Sequence, residues 1–140
     1  MNFKLTLGDW QQQRADAQSV RLQVFVHEQK VPLAEEWDEM DAVSLHAVAY
    51  DQAGQAIGTG RLLPDGHIGR MAVVMAQRGG GVGAAILQAL MECARQRGDR
   101  VLQLRAQVPV EDFYRRFGFV RCGEEFIEVG IPHVPMRHEF

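Results

Sequence analysis

Cysteine is scarce in this chain: there are two, Cys93 and Cys122, and neither lies in a CxxC. That spacing offers no metal-site or redox motif, and both read as reduced, partly buried thiols. The five histidines show no HExxH or similar ligand spacing, so no metal is expected. An excess of positive charge is missing as well. The formal net charge is -3, and nothing overall draws such a protein to nucleic acid. Arg95, Arg97 and Arg100 cluster where a helix should end, and cations there complement the helix dipole. The stretch Met1 to Leu7 holds no apolar run long enough for a signal peptide or a transmembrane helix, so the expectation is a cytoplasmic protein with no membrane partner. Internal repeats, linkers and low-complexity segments are also lacking.

What is present fits one domain over residues 1–140, with the 46% hydrophobic and 24% charged residues of an ordinary globule. Phe3, Leu5 and Leu7 alternate with Lys4 and Thr6 as in a half-buried strand. Asp9 with Gln12 makes a capping-box-like start for a helix through Trp10, Ala17, Val20 and Val24, which runs to about Val26 or Gln29 before Pro32 stops it. The segment from Leu33 to Ser44 is irregular and very acidic. Strands are expected over Leu45 to Tyr50, Gln55 to Leu63 and His67 to Val74, joined by turns at Asp51–Gly54 and Pro64–Gly66, which reads as an antiparallel meander. Ile86, Leu87, Leu90 and Ala94 then share one helical face, Gly98 ends that helix, and Val101, Leu102 and Leu104 begin a buried strand. This strand–helix–strand unit implies a right-handed parallel crossover. A short helix follows from Pro109 to Gly118, and Phe119 to Phe126 and Val134 to Phe140 are the expected closing strands.

The strongest local signal is Arg78-Gly79-Gly80-Gly81-Val82-Gly83, set between a strand and a helix. Glycines there let backbone N–H groups approach an anion closely, and the following helix adds its unsatisfied N–H groups and positive dipole end. No GK[ST] follows, so this is not a P-loop, and the loop comes too late in the domain for a Rossmann fold. The bland alternative is a flexible turn.

At this point the chain resembles the GNAT superfamily of acetyl-CoA-dependent N-acetyltransferases. Their signature is Gln or Arg, two residues, Gly, one residue, then Gly or Ala, and Arg78, Gly81 and Gly83 match it in full. A downstream aromatic-Tyr-x-x-x-Gly-Phe segment is common in the family and is matched by Phe113-Tyr114-Arg115-Arg116-Phe117-Gly118-Phe119. Val24 to Pro32, Glu36, Asp38 and Gly130-Ile131-Pro132-His133 look like its small bacterial ElaA-like or YjcF-like branch. The resemblance implies an α/β (α+β) fold: a mixed, mostly antiparallel central sheet flanked by helices. Two parallel strands of that sheet, His67 to Val74 and Val101 to Gln107, would splay apart. It further implies a pantetheine arm lying in the splay against the backbone of Met71, Ala72, Val73 and Met75. The pyrophosphate would rest on the amides of Arg78, Gly79, Gly80, Gly81, Val82, Gly83 and Ala84.

The activity implied is transfer of an acetyl group from acetyl-CoA, as co-substrate, to a primary amine of a small molecule or a protein. A non-catalytic acyl-CoA-binding or sensing module, and an acyltransferase using a longer acyl-CoA, are the alternatives. An alkyl amine has a pKa of about 10.4 and must lose a proton before attack. A backbone N–H near Val73 or Val74 could hold the oxyanion. The resemblance places Tyr114 beside the thioester sulfur, as the acid or as a hydrogen-bond donor, and Tyr114 also counts among the cofactor contacts. Full transfer from phenol to thiolate is uphill by roughly 2 kcal/mol at reference pKa values. Candidates for the base are Glu28, then His46, then His133, or a water chain. Glu35, Glu36, Asp38, Glu39 and Asp41 form either a site attracting a cationic amine or a solvated acidic loop. Arg61 and Arg70 could pair with Glu28 or Asp38, or hold an acceptor carboxylate, with structural ion pairing the safer reading. A homodimer through sheet edges or the C-terminal strand is compatible with the pattern.

Overall fold

The computed structural model describes residues 2–140. Strand β1 (Phe3–Gly8) leads into helix α1 (Trp10–Arg21) at the expected cap. Asp9 accepts from the Gln12 N–H at 2.9 Å while the Gln12 side chain accepts from the Asp9 N–H at 3.0 Å. Ala17 and Val20 are fully buried under this helix, as the spacing predicts. Beyond Arg21 the helix widens into a π-helical stretch, Leu22–Glu28, in which the Gln29 N–H reaches back to the Val24 carbonyl at 3.0 Å. A short helix α2 (Leu33–Glu36) and a 3₁₀ turn (Glu39–Val43) carry the acidic segment.

The meander follows as β2 (Leu45–Asp51), β3 (Ala56–Leu62) and β4 (Ile68–Val73), giving a sheet of order β1-β2-β3-β4 with antiparallel neighbours throughout. Helix α3 (Val82–Gln96) lies across it. Gly58 and Gly60 make room for that helix: a Cβ at Gly58 would stand 2.8 Å from Val82 Cγ1, and one at Gly60 would stand 2.9 Å from Ile86 Cγ2. Ile86, Leu87, Leu90 and Ala94 all sit at 0% exposure in the main core beneath α3.

The second half contains β5 (Val101–Gln107), α4 (Glu111–Arg115), β6 (Val120–Arg121), β7 (Phe126–Glu128) and β8 (Ile131–Glu139). Strand β8 lies between β5 on one side and both β6 and β7 on the other. The expected single strand from Phe119 to Phe126 is therefore two short pieces. Residues 122–125 bulge out where Pro135 of β8 has no N–H to offer and Gly123 closes onto the Pro135 ring. The C-terminal strand is longer than expected and interior, with strands paired to it on both sides. Cys93 is half-buried, whereas Cys122 stands exposed on the bulge rather than partly buried. Among the described residues, no helix is long and apolar enough to cross a membrane.

The two half-sheets meet at one point. His67 and Gln103 form a single parallel bridge, backed by the Gln103 N–H donating to the Gly66 carbonyl at 3.0 Å. Past that bridge β4 and β5 share no ladder among the described residues, which leaves a gap opening toward Val73 and Gln107.

Candidate active site

The wall of the gap is set by strand alternation. The Val74 N–H donates to the Ile57 carbonyl at 2.9 Å, and Gly58 stands opposite Val73. In an antiparallel ladder successive residues turn their N–H and C=O groups to opposite edges. Val73 therefore presents its backbone to the gap, whereas Ala72 and Val74 are turned to β3. Of the two N–H groups expected near an oxyanion, that of Val74 is already spent. Next to the gap β4 is irregular: the register slips between Thr59 and Arg61, and Arg70 has φ +50°. A left-handed backbone at a non-glycine residue costs about 1–3 kcal/mol and is retained where the surroundings impose it.

The loop after β4 begins as a 3₁₀ turn, Met75–Gln77, in which the Arg78 N–H donates to the Met75 carbonyl at 3.3 Å. The Arg78 amide is thus committed and drops out of the expected phosphate cradle. Gly79 and Gly81 have φ +85° and +87°, which a side chain would strain. Gly81 caps α3 with no side-chain hydrogen bond, and the first helical bond runs from the Ala85 N–H to the Gly81 carbonyl at 3.0 Å. The N–H groups of Val82, Gly83 and Ala84 consequently have no intrahelical acceptor. A Cβ on Gly83 would lie 3.6 Å from Phe113 and 3.7 Å from Val73, so the first turn of α3 abuts the gap. Free amides, the helix dipole and bare glycines fit a diphosphate group.

Tyr114 belongs to the segment that follows β5. It projects from α4, is 8% exposed, and packs edge-on against Phe113 and Phe119 at centroid distances of 5.1 and 6.1 Å. Its hydroxyl has no hydrogen-bond partner among the described residues, and burial pushes its pKa up to about 12. Glu111 anchors this short helix by bonds of 2.6 Å from Arg115 and 2.6 and 2.7 Å from Arg121.

A strand gap, an uncapped glycine-rich helix start and a buried tyrosine are the parts the sequence motifs called for. Residues 11–140 match the family described as Acetyltransferase (GNAT) domain. The chain belongs to the GNAT family. It is similar to the uncharacterized N-acetyltransferase YjcF of Bacillus subtilis, 38% identical over 138 residues that cover 96% of this chain and 98% of that one. Among solved structures it is similar to a putative N-acetyltransferase from Lactobacillus plantarum, with 30% identity, TM-score 0.89 and 99% of each chain covered. Escherichia coli ElaA is similar at 26% identity and TM-score 0.87, over 97% of this chain and 99% of that one. The protein is a GNAT acyltransferase of the small bacterial YjcF- and ElaA-like kind, with the expected splayed sheet.

The candidates for a base on this GNAT domain are placed less favourably. Glu28, at the end of the π-helical stretch, is gripped by Arg78 through bonds of 2.8 and 2.7 Å, and those bonds lower its pKa. A carboxylate so held is a weaker base. His46 is 1% exposed, with Nε2 2.9 Å from the Asp41 carbonyl and its ring against Trp10. Burial lowers its pKa, and no reactant has access to it, so the role expected of His46 does not fit its position. His133 is 6% exposed, bonds the Ile131 carbonyl through Nδ1 at 2.7 Å and stacks on Phe126.

The acidic segment is split: Glu35 and Glu39 are exposed as in a solvated loop, whereas Glu36, Asp38 and Asp41 are held by arginines. Glu36 and Asp41 are 2% and 3% exposed, and Arg21, at 1%, bonds both of them with its whole guanidinium. Arg61 grips Asp38 at 2.6 and 2.8 Å and Asp41 at 2.9 Å, while Arg70 reaches Asp38 at 3.2 Å. The Arg21 guanidinium also lies between the rings of Trp10 and Trp37, 5.4 and 5.5 Å from their centroids. Three arginines thus balance three carboxylates, and Arg61 and Arg70 pair with Asp38 and not with Glu28. Sequence reasoning missed Arg21. Its signal was a charge on the buried stripe of Ala17, Val20 and Val24. A cleft of about 270 Å³ between Trp10 and Trp37 borders this cluster and includes no residue of the gap.

Proposed function

We propose that this chain transfers an acetyl group from acetyl-CoA to a primary amine by direct attack in a ternary complex. The observation that carries the reading is the gap between β4 and β5, which runs from the Val73 N–H, turned away from β3, to the free amides of Val82, Gly83 and Ala84. An extended, amide-bearing chain pairs with an open strand edge in the way an added β-strand does. Met71, Val73 and Met75 line the route the pantetheine arm would take, with Ala72 holding that strand to β3. Gly79, Gly80 and Gly81 let the diphosphate approach the start of α3.

The remaining roles belong to the chain's own groups. The Val73 N–H donates to the carbonyl oxygen as it gains charge, a role open to it because it faces away from β3. The Tyr114 hydroxyl, without another partner, donates a hydrogen bond to the leaving sulfur. Holding amine and thioester side by side supplies much of the remaining acceleration. With Glu28 engaged and His46 sealed, the amine loses its proton to solvent water.

A thermal melt with and without acetyl-CoA, alongside a Gly83→Trp variant, tests the reading. Saturation at a hundredfold excess over Kd should stabilise the natural protein by about 2.7 kcal/mol. The indole, placed against Val73 and Phe113, should abolish that gain in a folded variant. An assay of thiol release with small amines and with peptide amines then identifies the acceptor, and competition by longer acyl-CoAs reports the acyl preference. No stabilisation up to millimolar acetyl-CoA, with the fold intact, would sink the proposal.

A further inference from the structure

The arginine of the glycine loop is turned away from the loop it belongs to. Arg78 Nε donates to the Val73 carbonyl at 2.9 Å, and its two terminal nitrogens are both spent on Glu28, at 2.8 and 2.7 Å. The guanidinium therefore stands on the backbone acceptor of β4 that faces the gap, with its charge neutralised by a carboxylate. The point of attachment is itself fixed. Gln29, next in the chain, exchanges amide hydrogen bonds of 3.3 and 3.0 Å with Gln107 at the end of β5. Two adjacent side chains thus clasp both walls of the gap, Glu28 through Arg78 to β4 and Gln29 to β5.

We infer that Glu28 is a positioning residue that holds Arg78 on the Val73 carbonyl and competes with the phosphates of the acyl-CoA for the same guanidinium. The inference rests on the acyl-CoA reading above. A fork of N–H donors binds a carboxylate or a phosphate in the same bidentate manner, so the two ligands exclude one another. Arg78 must leave Glu28 to reach a diphosphate at the start of α3, and in leaving it uncovers the Val73 carbonyl for the pantetheine amide. Cofactor affinity is then reduced by whatever the Arg78–Glu28 pair contributes in the free protein. The pair is partly exposed, 42% for Arg78 and 28% for Glu28, so its contribution is modest. On this account Glu28 acts through Arg78 and is not the base.

Titration calorimetry with CoA itself as the probe tests this on four folded proteins: natural, Glu28→Gln, Arg78→Gln and the double variant. Glu28→Gln should bind CoA about two- to five-fold more tightly than the natural protein. The gain should disappear in the Arg78→Gln background, and Glu28→Asp, which keeps the charge, should return affinity toward the natural value. Equal or weaker binding by Glu28→Gln overturns the inference, as does an equal gain with Arg78 absent. A fall in kcat at unchanged CoA affinity would overturn it too, and would assign Glu28 as the base. Failure of the natural protein to bind CoA at all is a separate result that removes the acyl-CoA reading and this inference together.

Discussion

Replacing Tyr114 with phenylalanine removes a single oxygen, the one proposed above to donate to the leaving sulfur. Among the described residues that oxygen has no hydrogen-bond partner, and the ring is held by Phe113 and Phe119. Its loss strands no buried donor or acceptor, so the melting temperature should stay close to that of the natural protein. Activity should not. With the phenol near 12 and a thiol at about 8.5, full proton transfer is uphill by about 5 kcal/mol, well above the figure for reference values. Burial therefore argues for a hydrogen bond to the sulfur as negative charge builds on it. A hydrogen bond to a charged group contributes about 1.5–3 kcal/mol, which is about a 10- to 150-fold loss of kcat on removal. The assay is thiol release at saturating acetyl-CoA and amine, with a melt of the same sample. The natural enzyme should also show no alkaline loss from this phenol below about pH 10. A Tyr114→Phe enzyme with an unchanged melt and a kcat within about twofold of the natural one would refute the role.

Two further outcomes follow from the buried ion cluster. Arg21→Met leaves the Glu36 carboxylate, 1% exposed, without its principal partner and should cost about 3–5 kcal/mol in urea unfolding, whereas a loss below about 1 kcal/mol would contradict the network as described. Acid should destabilise the protein in stages, each with the same sign. His46, its pKa lowered by burial, contributes stability that is full above its ordinary 6.5 and is lost as the pH falls below it. Asp38, held to about 2 by Arg61 against an ordinary 3.8, contributes stability that is full above about pH 4 and is lost on the way to pH 2. Urea midpoints at pH 7.5, 5.5 and 3.5 should fall in that order, and a midpoint that rises on acidification would show that other groups dominate.

The parts of the fold that were readable from residues are those with a short-range cause. Asp9 and Gln12 announce the start of α1 because a capping box is complete within four residues. The face of α3 is legible because Ile86, Leu87, Leu90 and Ala94 recur at the helical period. The glycine loop and the segment around Tyr114 were legible as motifs. What escaped depends on partners distant in the chain. Arg21 finds Glu36 and Asp41 across 15 and 20 residues, and no periodicity marks those pairs. The widening of α1 at Leu22, the break between β6 and β7 over Pro135, and the capture of Glu28 by Arg78 likewise appear only once separate segments are packed. Candidate bases fared worst for that reason: a carboxylate or imidazole in sequence says nothing about the guanidinium or carbonyl that will occupy it.

The interior position of β8 has a consequence for how the molecule is made. During synthesis the first half-sheet can close with its own neighbours as β1 to β4 emerge, since each antiparallel pairing there joins consecutive strands. Strand β5 has no such option. Its ladder partner is β8, with Val101 meeting Glu139 and Gln107 meeting His133, and both β6 and β7 wait for the same strand. Until residues 131–139 leave the ribosome, the nascent chain carries three strands with bare edges, the condition under which edge-to-edge aggregation begins. The N-terminal half would thus be folded while the wall bearing Gln107 and the Tyr114 helix is still unformed, and the gap that defines the enzyme would be the last feature to take shape.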